Sequence, residues 1–320
     1  MSGSFVSSAA GMVVVALPTE VIWSASVGGA VFAFGFVTML VRGDWRKARG
    51  FDKLILFGTV FYAAPLAAFG TEHFTLTREI ASIVPAWIPW HMFWAYFVGA
   101  CFIAGPLSMV TRIRARLAAS LVGLTFFLFV VLMDAPGWVR HLHDRFALTF
   151  ALRELAFSGG ALALAASLRE ARERGAHVLA TIARYFVAVP VLFYSFEQFR
   201  HGDHVPGVPL EPLTPAWIYG HAVWTYVAAV VYAVGGALLL VNRKTRAAAT
   251  WVGLSVLLVE LVVYVPIGVV ERASLDNGLN YVADTLMFCG AVFLLAGAMP
   301  PEASQPEDDG VDRQMPAYQA

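Results

Sequence analysis

Nine stretches of about 20 mostly apolar residues run through this chain of 320, at roughly 22–41, 53–71, 90–111, 117–136, 147–167, 178–196, 216–241, 247–269 and 279–299. That length matches the hydrocarbon thickness of a bilayer. A backbone in lipid must satisfy its own hydrogen bonds, and over one stretch only a helix does so. The expected fold class is therefore all-α, a polytopic membrane helix bundle of about nine transmembrane helices. Composition agrees, with 14% charged residues against roughly 25% in an average soluble domain. The formal net charge of zero gives nucleic acid no electrostatic footprint, so the bilayer is the expected partner. Residues 5–18, FVSSAAGMVVVALP, are apolar but too short to span, and no basic residue precedes them. A signal peptide fits poorly, and an interfacial or re-entrant lead-in is expected.

The connecting segments alternate in charge. RGDWRKARGFDK (42–53), TRIRAR (111–116), REARERG (169–175) and NRKTR (242–246), with Arg184 and Arg313, carry 16 of the 22 Lys and Arg residues. The positive-inside rule makes this side cytoplasmic, in a bacterial inner membrane, with the N-terminus outside and the C-terminus inside. Seven of the eight histidines fall on the other side, leaving only His177 with the basic segments. The segment after 299 is acidic and Pro-rich, which predicts a disordered tail.

The chain also repeats itself. VPAWIPWHMFWAY (84–96) returns 130 positions later as TPAWIYGHAVWTY (214–226), and RARLAASLVGL (114–124) as KTRAAATWVGL (244–254). Upstream, FYAAPLAAFGTEHF (61–74) matches FVAVPVLFYSFEQF (186–199) at an offset of 125. Downstream, ELAFSGGA (154–161) faintly matches TLMFCGA (285–291). Spans 2–5 thus resemble spans 6–9, and the first span stands outside. The expected division is a lead-in with an extra helix (1–51), a four-helix unit (52–167), a linker (168–177), a second unit (178–299) and the tail (300–320). Each unit has an even number of helices, so both enter the membrane in the same direction. Their expected relation is a pseudo-two-fold axis along the membrane normal.

Duplication also selects candidate residues. Among ionisable groups toward the histidine-rich side, two pairs occur in both copies: Glu72 with Glu197, and His91 with His221. Ionisable groups at membrane depth are costly and mark candidate sites. A histidine in a helix's first turn sits at the positive end of the dipole and tends to stay neutral, able to accept a proton or bind a metal. Trp94 and Trp224 lie one turn further on, with Tyr96 and Tyr226 beside them, as candidate walls for a ring-shaped ligand. The same Pro, Trp, His and Tyr also describe an interfacial anchor. The glutamates equally fit a capping role or a pairing with arginine. Asp134 and Glu260 lack counterparts, and either is expected to pair with Arg153 as a buried ion pair. H-x-H-D at 141–144 and H-x-x-H at 201–204 have short metal-like spacings, and both fit solvated loops. Cys101 and Cys289 fall inside spans and fit packing roles.

The stretches FGTEHF with GPLSMVTRIRARLAA, and SFEQF with GGALLLVNRKTRAAA, resemble the DoxX-like membrane proteins. The resemblance covers about 52–167 and 178–299, two units where the family usually has one. It implies a four-helix unit and a link to membrane electron transfer, with quinone and sulfur compounds as the chemistry and a membrane redox partner. A redox-associated protein with a quinone-facing or metal-binding site at Glu72, His91, Glu197 and His221 is the first functional expectation. A small-molecule transporter and a non-catalytic scaffold subunit are the rivals. Convergence of all four side chains on one site requires the axis to pass between spans 3 and 7.

Overall fold

The computed structural model describes residues 17–169, 174–207 and 212–301. The apolar lead-in, the acidic tail and the middle of the linker lie almost wholly outside the described residues. Nine helices among the described residues are long and apolar enough to cross a membrane: α1 (Thr19–Val41), α2 (Asp52–Thr75), α3 (His91–Thr111), α4 (Ala115–Arg140), α5 (Arg145–Ser167), α6 (Gly175–Arg200), α7 (His221–Leu240), α8 (Thr245–Val270) and α9 (Leu275–Ala298). They are the helices of a multi-pass membrane protein. Large apolar side chains such as Trp23, Phe93, Leu121 and Trp251 point outward, as lipid-facing surface requires. The described residues hold no strand, only an isolated bridge between His204 and Leu213. Helices α4 and α9 run past their apolar stretches at the histidine-rich end, because helical hydrogen bonding continues where hydropathy stops.

Proline shapes α4 and α8 at the histidine-rich end. Pro136 and Pro266 lack the N–H that would bond the carbonyl four residues back, and their rings crowd that carbonyl. The turns just before them widen into π-helix, at Val130–Asp134 and Glu260–Tyr264. In both, the next residue's N–H reaches back five positions, to the Val130 and Glu260 carbonyls. A π-turn rotates the following side chains and often marks a functional position. Here it aims Asp134 and Glu260 toward the bundle interior.

Helix α9 is the most buried span and α5 is close behind, whereas α4 and α1 are the most exposed. Both α5 and α9 are lined with small residues, which lets backbones approach closely in lipid. A methyl group on Gly290 would sit 2.4 Å from the Tyr62 backbone nitrogen on α2. One on Gly159 would lie 3.0 Å from the Ala183 carbonyl on α6, and one on Gly160 only 2.4 Å from Ala291 Cβ on α9. So α9 packs on α2, α5 packs on α6, and α5 and α9 pack on each other. Helix α1 leans on α2 and α3 at the periphery.

Local details recur at the sequence offset. The Ser158 hydroxyl donates to the Gly123 carbonyl at 2.7 Å, and the Cys289 thiol to the Gly253 carbonyl at 3.4 Å. Trp94 Nε1 donates to the Pro89 carbonyl at 3.0 Å, and Trp224 Nε1 to that of Tyr219 at 3.1 Å. Left-handed backbone occurs at Trp90 and Gly220, Arg112 and Asn242, and Arg114 and Lys244. The copies differ between their first two helices. A short helix, Thr77–Ile83, fills the gap in one. In the other, Tyr264 donates to the Pro206 carbonyl at 2.6 Å and Val205 is buried.

The tight crossing gives a test. Gly290→Val should cost about 3 kcal/mol, because neither the Tyr62 backbone nor α9 can retreat. Gly29→Ala on α1, whose added methyl meets nothing within 4 Å, should change stability by no more than about 1 kcal/mol. Thermal or denaturant unfolding in detergent reads both.

Candidate functional site

Glu72, His91, Glu197 and His221, for which one shared site or two were both open, are not brought together. Helix α3 packs on α1, α2 and α4, and α7 on α6 and α8, so the close crossing belongs to α5 and α9. His91 and His221 each open a helix and are half-buried, and neither imidazole has a hydrogen bond or ion pair with any described residue. The Trp94 and Trp224 indoles are already committed to the carbonyls that begin their own helices. Trp94 stands edge-on to Phe93 and Phe97. Tyr96 and Tyr226 are exposed, and Tyr96 packs against Phe74. His141 and His143 are exposed, and no three His, Cys, Asp or Glu side chains among the described residues are grouped to hold a metal.

The glutamates behave differently from the histidines. Both are buried, each facing the start of the last helix of the other unit. Glu72 on α2 hydrogen-bonds with the Asn280 side chain on α9 and lies within electrostatic reach of Asp276 and Asp284. Glu197 on α6 pairs with Arg145 of α5 at 3.5 Å and with His201 at 3.7 Å. Arg145 and Asp276 are repeat equivalents, 131 positions apart. One glutamate therefore meets a cation where its counterpart meets an anion.

Between the glutamates lies a row of charge that the sequence reading only partly anticipated. Arg153 pairs with Asp284, and both side chains are more than nine-tenths buried. The expected partner was Asp134 or Glu260. Instead the Asp134 carboxyl faces that of Glu154, the next residue along α5. Glu260 lies in the second unit near Tyr264 and Cys289, with neither oxygen partnered. Arg153 also sits over the Phe150 ring at 4.1 Å. Glu72 Oε1, Glu154 Oε2, Asp134 Oδ2, Asn280 Oδ1 and Arg153 Nε have no partner among the described residues. Buried polar atoms without partners are rare and call for water, an ion or a ligand. The set runs along one level of the bundle, toward the histidine-rich end, and it can hold, pass or release protons.

Asp276 was missed because the ninth helix begins at Leu275, before its apolar run, whereas Asn280 and Asp284 lie inside that run and were passed over because neither is matched by the same residue in the other copy. A signal was present at the 131-residue offset, where Arg145 meets Asp276 and Arg153 meets Asp284.

No protein-family model, curated protein or solved structure matches the chain.

Two predictions follow from this geometry. Arg153→Met should cost about 3–5 kcal/mol by leaving Asp284 buried and unpaired, and Arg153→Met with Asp284→Met should recover most of that loss. Unfolding curves of the single and double variants decide it. Partial burial, and then the charge of Arg145, push the His201 imidazole below its ordinary range. The folded state therefore withholds a proton that the unfolded state takes up. The stability this represents is full above about pH 6.5 and is lost as the pH falls below it. An NMR titration should place the His201 midpoint below that of a free imidazole, and Arg145→Gln should raise it.

Proposed function

We propose that the chain is a DoxX-like membrane protein in which two fused four-helix units, related by a two-fold axis between α5 and α9, move protons in support of membrane redox chemistry. The observation that carries this reading is the buried Arg153–Asp284 ion pair with the facing carboxyl groups of Asp134 and Glu154 beside it and Glu72 and Asn280 adjoining. Ionisable groups in lipid are retained where they relay protons or meet a polar ligand. Two facing carboxyl groups beside a fixed guanidinium suit a ring-shaped carrier whose oxygens gain and lose protons, which is quinone chemistry. The charge bias supports an orientation with the histidine-rich end outside, the C-terminus cytoplasmic and a bacterial inner membrane as location.

The row of polar atoms also favours a second reading. Transporters place ionisable groups at depth between repeated units, and buried Glu260 and Gln198, whose side-chain polar atoms have no partner among the described residues, fit that pattern.

Titrating purified protein with a short-chain quinone, followed by tryptophan fluorescence, separates the two. On the redox reading, wild type binds. Glu154→Gln then weakens binding by about tenfold, the loss of one charge-assisted hydrogen bond, and His91→Ala with His221→Ala changes little. Absence of binding, with pH-driven solute uptake in proteoliposomes that Glu260→Gln abolishes, would instead establish transport.

A further inference from the structure

At the basic end the arginines fall into two sets. Arg42 donates to the Val110 carbonyl at 2.9 Å, and Arg112 lies 3.4 Å from Asp44. Arg184 donates to the Leu239 and Leu240 carbonyls. Arg246 is held three times over, by the Ala296 carbonyl at 3.1 Å, the Met299 carbonyl at 3.2 Å and Asp52 at 2.7 Å. These groups serve the fold, closing the carbonyl ends of helices.

Arg114 and Arg116 do not. They stand 130 positions before Lys244 and Arg246, yet both side chains are exposed and make no hydrogen bond or ion pair with described residues. With Arg169, Leu117 and Ser120 they line a cleft of about 460 Å³. Where the second unit spends Arg246 on its own backbone, the first leaves Arg116 facing this space. Below the cleft, Leu117, Leu121, Leu124 and Leu128 follow at helical spacing down one side of α4, each between 41% and 54% exposed.

We propose that this cleft binds the phosphate-bearing headgroup of an anionic phospholipid, with one acyl chain lying along the leucine stripe. Guanidinium groups grip phosphate oxygens through paired N–H donors. The cleft lies where the basic end meets the hydrocarbon, which is where lipid phosphates sit. A free anion would use the arginines and leave the stripe unused. The continuous passage from guanidinium to leucine fits a molecule carrying both a phosphate and a chain.

Native mass spectrometry of the full chain, released from mild detergent and titrated with phosphatidylglycerol or phosphatidylcholine, tests this. Wild type should bind phosphatidylglycerol about tenfold more tightly than phosphatidylcholine. Arg114→Gln with Arg116→Gln should abolish that preference. Arg243→Gln with Lys244→Gln, the same charge loss at the matching end of α8, should keep it. Leu117→Asp leaves all three arginines in place and should also weaken binding. Circular dichroism checks that each variant stays helical. Three results would overturn the proposal. One is an Arg114/Arg116 variant that keeps the wild-type preference. Another is an Arg243/Lys244 variant that loses as much, which would mean diffuse charge attraction. The third is complete displacement of the lipid by millimolar inorganic phosphate, which would mean a free-anion site.

Discussion

The ion pair between Arg153 and Asp284 sets the terms for the rest of the bundle. A guanidinium and a carboxylate buried among helices in lipid must find each other, because neither has water to fall back on. Their meeting fixes α5 against α9 at one depth. Two turns further along, Gly160 meets Ala291 with no room for a larger side chain. The same seven-residue interval separates the contacts on both helices, roughly 10 Å of rise, so register is held at two points. The close packing of α2 on α9 and of α6 on α5 then follows from small residues on the outer flanks of that crossing.

Charge at this crossing explains why a fused chain differs from a pair of identical units. In a symmetric dimer each residue at the axis faces its own copy, and an arginine would face an arginine. Two positions within one chain are free to differ, and here Arg153 stands opposite Asp284. The same freedom shows at Glu72 and Glu197. One faces Asp276 and Asn280, the other Arg145. A glutamate neutralised by arginine is a structural tie. A glutamate beside further acids, held by one amide, is a group whose proton matters. The chemistry is thereby weighted toward Glu72 and the carboxyl pair of α4 and α5.

Much of the architecture was readable before any coordinates. Span number came from apolar length alone, because lipid leaves the backbone one solution. The recurring structural details were announced by the repeated sequence, down to Pro136 and Pro266 with their preceding π-turns. Partners across the bundle were harder. Hydropathy shows that Asp284 lies in a span, and the offset shows that it matches Arg153. Neither says which helices cross, and that depends on where small residues allow contact. Ranking ionisable residues by their presence in both copies selected Glu72 and Glu197, which are buried, but also His91 and His221, which stand apart. It passed over Arg153, Glu154 and Asp134 because they differ between copies.

The repeated phrase that holds those histidines shows why the filter misled. Its Pro, Trp and Tyr build a turn. The chain enters α3 and α7 through left-handed backbone at Trp90 and Gly220, a conformation that costs energy at a tryptophan. The indoles of Trp94 and Trp224 then close back on the carbonyls five residues earlier. Such a device is needed wherever the helix must start, in both units alike, so identity between copies records a shared structural demand. A site that has specialised in one unit leaves the opposite trace, a matching position with an unlike residue. Asp134 against Tyr264 and Glu154 against Thr285 are that trace. Asp134 faces Glu154 in one copy, and Tyr264 lies beside Thr285 in the other, two acids in one place and two hydroxyls in the other. The geometry is shared and the proton chemistry is not.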